Sequence, residues 1–136
     1  MIKNLKIETD GKIDFLILAI NSHIKSYKIC WHINKKLNLN LIKNKDHILK
    51  NKKKFFERFS YFNKEKEIKY DVISNHSQSG YLDIKHKSVN YFMIVRGGVY
   101  KKEKIIKKLN TITDILLTFE LNLNNINSIE PFILYD

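Results

Sequence analysis

Histidine, cysteine and serine are the side chains from which a small protein most readily builds chemistry, and in this chain they are scattered. The five histidines (His23, His32, His47, His76 and His86) show none of the spacings that bring ligands to one metal. No His-Glu-x-x-His and no cysteine pair accompanies them. No metal site and no cofactor is expected. Cys30 falls on the apolar arc of a helix, away from any base that would activate it, and reads as a small core residue. As the single cysteine it can form no intrachain disulfide. Ser74, Asn75 and His76, followed by Ser77 and Ser79, have the residue types of a hydrolase. They lack a Gly-x-Ser-x-Gly elbow and a placed acid, and read as a loop. Gly97-Gly98 lies between a strand and a helix, where a phosphate can meet unpaired N–H groups. It carries neither the Rossmann nor the P-loop fingerprint and reads as a turn with one left-handed residue. Nothing in this set specifies an enzyme.

One stretch has the residue types for binding RNA. FFERFSYF, residues Phe55 to Phe62, follows a lysine-rich connection over residues 43–54. Aromatic rings on an exposed strand can stack bases while lysines hold the phosphate backbone. The candidate contacts are Lys50, Lys52, Lys53, Lys54 and Arg58, with Lys28 and Lys35 from the ridge of the first helix. The competing reading makes the same aromatics core residues beside a solvated loop. The net charge of +11 favours an anionic partner, but of the 25 basic residues just Arg58 and Arg96 are arginine. Arginine, more than lysine, suits the bidentate reading of phosphates and base edges. Abundant Lys, Ile and Asn together are also what an AT-rich gene places at tolerant positions.

These residues need a frame. At 136 residues the chain is read as a single domain, 1–136, with an exposed basic loop at 43–54 and a tail at 122–136 that either docks or binds a partner. No secretory signal is visible, and no stretch approaches the roughly 20 apolar residues of a membrane span. A cytoplasmic protein with no membrane contact is expected. A short strand is read at Leu5–Ile7 and a turn at Asp10-Gly11. Phe15 to Ile20 is continuously apolar and suits a strand covered on both faces. Asn21 or Ser22 would cap the helix that follows. At 100° per residue Lys25, Lys28, His32, Lys35 and Lys36 share one sector about 100° wide. Ile24, Tyr27, Ile29, Cys30, Trp31, Ile33 and Leu37 cover the rest, so the helix is expected to be flanked on both sides with Trp31 in the core. Asn34 lies within the apolar arc and needs a partner.

Leu39–Lys43 reads as a short strand. Phe55–Phe62 and Ile68–Ser74 form a hairpin, with Phe55, Phe59 and Tyr61 on one face and Phe56, Arg58 and Phe62 on the other. Tyr91–Val95, a helix over 101–109 and Ile115–Leu121 make a β-α-β unit, expected to be right-handed. The fold class is therefore α+β: a mostly antiparallel sheet of about five strands with two helices on one face, ferredoxin-like or related.

Ser22-His-Ile-Lys-Ser-Tyr-Lys-Ile-Cys-Trp-His-Ile-Asn34 resembles the helix pattern of a small Bacteroidota family named for its IPExxxVDY signature. In that pattern Ser, Lys, Tyr, Trp and Asn recur in this order, here Ser22, Lys25, Tyr27, Trp31 and Asn34. Phe59-Ser-Tyr61, Ile73-Ser-Asn75 and Asn90-Tyr-Phe92 are further matches in the same order, spanning most of the chain. Ile112-Thr-Asp114 stands where the family has Ile-Pro-Glu, and no clear Val-Asp-Tyr follows. The resemblance carries over no established enzyme activity. The expected function is that of a non-enzymatic interaction or adaptor protein with an unidentified protein partner; an RNA-associated accessory role is the alternative.

Overall fold

FLILAI and YFMIV, the two continuously apolar runs, lie side by side in the middle of the sheet. The computed structural model describes residues 15–49, 53–123 and 126–134. Its main sheet contains β1 (Phe15–Asn21), β2 (Ile42–Leu49), β3 (Lys54–Asn63), β4 (Ile68–Ser74), β7 (Tyr91–Arg96) and β8 (Leu117–Glu120). β5 (His76–Ser77) and β6 (Gly80–Tyr81) form a separate two-stranded ribbon. Helices α1 (Ser26–Leu37), α2 (Lys102–Leu109) and the short α3 (Ile126–Ile129) complete the fold.

The main sheet has the order β2-β3-β4-β7-β1-β8, and every neighbouring pair is antiparallel. β7 separates β1 from β4, and β1 separates β7 from β8. The inner order β8-β1-β7-β4 is that of the split β-α-β sandwich expected from the sequence. A hairpin, β2–β3, follows α1 and widens the sheet, which raises the count from about five strands to six.

Alternation along the apolar strands feeds two cores. Leu16, Leu18, Ile20, Met93 and Val95 face α1 and α2, packing against Ile29, Cys30, Ile33 and Leu109. Phe15, Ile17, Ala19, Phe92 and Ile94 face the other way, against Ile129, Phe132 and Leu134. The 126–134 segment is thus docked, with the Phe132 ring edge-on to Phe92 at 4.8 Å. A sheet covered on both faces needs strands without a polar side, and these two strands supply that.

The largest departure from expectation is the basic loop 43–54. Residues 42–49 are strand β2, paired to β3 along one edge of the sheet. An edge strand has one neighbour and is mostly solvated, so lysines are tolerated there and discourage pairing with another chain. A bulge between Asn44 and His47 shifts the alternation. His47 consequently turns inward, where its Nε2 meets the Pro131 carbonyl at 2.7 Å and ties the edge strand to the C-terminal segment. Lys50 and Lys52 lie outside the described residues, as do the Leu5–Ile7 strand and the Asp10-Gly11 turn.

Gly97 and Gly98 both have positive φ, 78° and 56°, so the turn uses two left-handed residues rather than one. A Cβ at Gly97 would stand 2.6 Å from the Glu67 carbonyl oxygen, and one at Gly98 2.5 Å from that of Lys66. The pair is glycine because it packs against the β3–β4 turn.

Candidate functional site

Helix α1 starts without a side-chain cap. Lys25 occupies the N-cap position, and its carbonyl accepts from the Lys28 and Ile29 N–H groups at 3.0 Å. Ser22, one of the two expected caps, is buried and does something else. Its N–H donates to Asn90 Oδ1 at 2.7 Å and its hydroxyl to the Asp114 carbonyl at 2.6 Å.

The helix then lies on the sheet by a narrow stripe, Ile29, Cys30 and Ile33, all buried. Its apolar arc is wider than that stripe, and among the described residues no element covers its Tyr27–Trp31 side. Tyr27 and Trp31, expected in the core, are instead 64% and 54% exposed. They stand one turn apart, with Lys35 a further turn along. Lys35 Nζ lies 4.4 Å from the centre of the Trp31 ring, a cation–π contact. His32 stacks edge-on to Trp31 at 5.0 Å and pairs with Asp114 at 3.2 Å, fixing one side of the indole. Lys28 and Lys36 are exposed beside this ridge, and the helix carries no acidic residue. The outer face of α1 is therefore aromatic, cationic and in water.

Beneath the N-terminal turn of α1, Glu57 of β3 accepts from the Ser26 hydroxyl and pairs with Lys43 at 2.8 Å. Burial pushes the Glu57 carboxyl up, but the Lys43 and Ser26 hydrogen bonds outweigh it and leave the group below its ordinary value. Burial, reinforced by the Glu57 charge, pushes the Cys30 thiol up to about 12. That is the opposite of what a nucleophile needs.

The residues proposed to contact RNA are not brought together. Arg58 is 7% exposed, and its Nε donates to Asp71 Oδ1 at 2.8 Å. Asp71 is fully buried, also accepts from the Ser60 hydroxyl, and faces Arg96 at 3.2 Å and Lys69 at 3.6 Å. Arg58 therefore belongs to an internal charge cluster and is withdrawn as an RNA contact. Phe56 and Phe59 are buried, one on each face of the sheet, as the hairpin alternation required. Phe55 and Phe62 remain partly in water but on opposite faces, so they form no stacking platform. Lys53 is exposed, Lys54 half-buried beside Gly80, and Lys28 and Lys35 belong to the α1 ridge.

The structure does join residues that are far apart in the sequence. The Ser22, Ile73-Ser-Asn75, Asn90-Tyr-Phe92 and Ile112-Thr-Asp114 segments meet at one end of the sheet. Asn75 N–H donates to the Asn90 carbonyl and Asn90 N–H to that of Ile20, both at 3.0 Å. The Asn75 amide donates to the carbonyls of His86 and Val89 at 2.9 and 2.8 Å, and its Oδ1 accepts from Asp83 N–H at 2.8 Å. The Asn75 side chain thus holds the 82–90 loop by three bonds; its role is positioning. The sequence marks these positions only by their residue types, since asparagine suits such main-chain bridging.

Among the described residues no group of three His, Cys, Asp or Glu side chains is arranged to hold a metal. No described helix is long and apolar enough to cross a membrane. No protein-family model matches the chain, and no curated protein matches it.

Proposed function

We propose that the chain is a small non-enzymatic interaction protein, akin to the IPExxxVDY family, whose contact surface is the outer face of α1. The supporting observation is the exposure of Tyr27 and Trp31 on a helix whose inner stripe already satisfies the core. Large amphipathic aromatics are the residues that most often anchor protein interfaces. Lys28, Lys35 and Lys36 surround them without a compensating acid on the helix. The complementary partner is an acidic protein segment carrying an apolar anchor: its carboxylates take the lysines and its apolar group takes the indole face.

RNA association has narrower support, because Arg58 and the central aromatics of β3 are internal. It would rest on the same α1 lysines with Lys53.

A photo-crosslinking residue at position 27, in the full chain inside host-type cells, tests the reading. The expected result is one acidic protein partner. That partner, once purified, should shift the emission of Trp31, the single tryptophan. Binding should weaken with salt and be lost in the Lys28→Glu, Lys35→Glu double variant. Crosslinks to RNA alone, or to nothing, would overturn it.

A further inference from the structure

The sheet end described above carries an open cavity of about 490 Å³, within the range of small-molecule sites. It opens where β1 leaves the sheet, where β4 ends and where β7 begins. His23, Ser74, His76, Lys87 and Asn90 supply its polar lining, and Tyr81 one wall. Three features define its chemistry.

The first is the sign of the lining. Two imidazoles, one ammonium, one carboxamide and the hydroxyls of Ser22, Ser74, Tyr81 and Tyr91 belong to the lining residues, and no carboxylate does. With one ammonium and no opposing carboxylate, the lining favours an anion. The nearby acids are occupied elsewhere: Asp83 holds His86 Nδ1 at 2.7 Å, Glu57 holds Lys43, and Asp114 holds His32.

The second is the availability of the donors. Among the described residues the side chains of His23, Ser74, His76 and Lys87 make no hydrogen bond or ion pair, and Asn90 uses its carbonyl oxygen for Ser22 but not its amide nitrogen. Other polar groups at this end of the molecule, Ser22 and Tyr91 of the lining among them, are spent on the scaffold. The Tyr91 hydroxyl donates to the Ile24 carbonyl, Ser22 to Asp114, and Asn75 to its loop. Four side chains of the lining and the Asn90 amide nitrogen are thus uncommitted.

The third is the wall. The His76 ring meets Tyr81 edge-on at 5.1 Å, and Lys87 Nζ lies 5.9 Å from the centre of the Tyr81 ring. An apolar ring face therefore borders the cationic lining.

We infer that this cavity binds the phosphate group of a small phosphate monoester. Lys87 meets its charge, the His23 and His76 rings, Ser74 and the Asn90 amide donate to its oxygens, and Tyr81 lies against the organic part. A tetrahedral dianion with three terminal oxygens suits this number of converging donors, and charge-assisted bonds of this kind are the strong ones. The site is separate from the outer face of α1 and stands or falls independently of the protein-partner reading.

The test uses the full chain and three probes, AMP, inorganic phosphate and adenosine, with the imidazole resonances of all five histidines followed by NMR. AMP and phosphate are expected to shift His23 and His76 saturably and to leave His32 unmoved, whereas adenosine shifts neither. AMP should bind more tightly than phosphate, because Tyr81 adds a ring face. The reverse order would confine the site to the free anion and overturn the monoester assignment. Lys87→Ala, at an exposed position, should weaken AMP binding about tenfold or more while its thermal transition stays that of the parent. Absence of any shift with AMP, equal shifts with adenosine, or unchanged affinity in Lys87→Ala would overturn the proposal.

Discussion

The Asn34 carboxamide grips the main chain of Leu41 on both sides, accepting its N–H at 2.8 Å and donating to its carbonyl at 3.2 Å. Asn110 does the same to Thr118, at 2.8 and 3.2 Å. Each asparagine stands at the C-terminal end of a helix, and each fixes the chain entering or forming the next strand. The two halves of the sandwich thus close with the same device. Asn34→Ala should destabilise the fold by about 1–3 kcal/mol, because it leaves two main-chain groups of Leu41 to find other partners. Urea unfolding followed by far-UV circular dichroism measures it. A loss of a few tenths would mean that water replaces the carboxamide without cost.

Trp31→Ala should change stability by less than about 1 kcal/mol, since the ring is half in water and its truncation opens no cavity. Ile33→Ala, two residues on and fully buried, should cost about 2–5 kcal/mol. The same unfolding measurement separates the two. Equal losses would place Trp31 in a packed environment and remove it from the contact surface.

That pair also shows what could be read from the sequence. The two apolar strands, the β3–β4 hairpin with its faces, both helices and the α+β class were legible because hydrophobic periodicity reports burial. The need of Asn34 for a partner was legible for the same reason. Trp31 was misread because a helical wheel shows which residues are apolar, not how many neighbours the helix has. β2 was misread as a loop because an edge strand is mostly solvated and its bulge breaks the alternation. Arg58 looked like a ligand-binding arginine because its partner Asp71 is thirteen residues away on the next strand, and cross-strand pairing is invisible until the register is known. The cavity at the sheet end draws on loops that only the fold brings together.

Asp71 is the anion of the internal cluster, so Asp71→Asn should cost about 3–5 kcal/mol, the usual range for breaking a buried ion pair. Thermal unfolding of the variant measures the loss. A change under 1 kcal/mol would show that Arg58 and Arg96 do not depend on this carboxylate.

Cys30 should resist thiol reagents in the native protein and react at the rate of unfolding, being buried and pushed up to about 12 from 9.0. Between those values the native thiol keeps a proton that the unfolded chain releases, so stability falls as pH rises through this window. Burial, then the Cys30 and Glu57 charges, pushes the Tyr91 hydroxyl up from 10.0 to about 12, which acts in the same direction. The urea midpoint should therefore drop as pH rises from about 9 towards about 12. A midpoint that rises over this interval would contradict both burials.

The most direct measurement is the crosslink from position 27 on the outer face of α1, compared between the parent chain and its Lys28→Glu, Lys35→Glu variant. The expected result is one stoichiometric acidic protein captured by the parent and lost from the variant, with unfolding curves that coincide. Equal capture by both, or capture of RNA with no protein, would contradict α1 as a protein-contact surface.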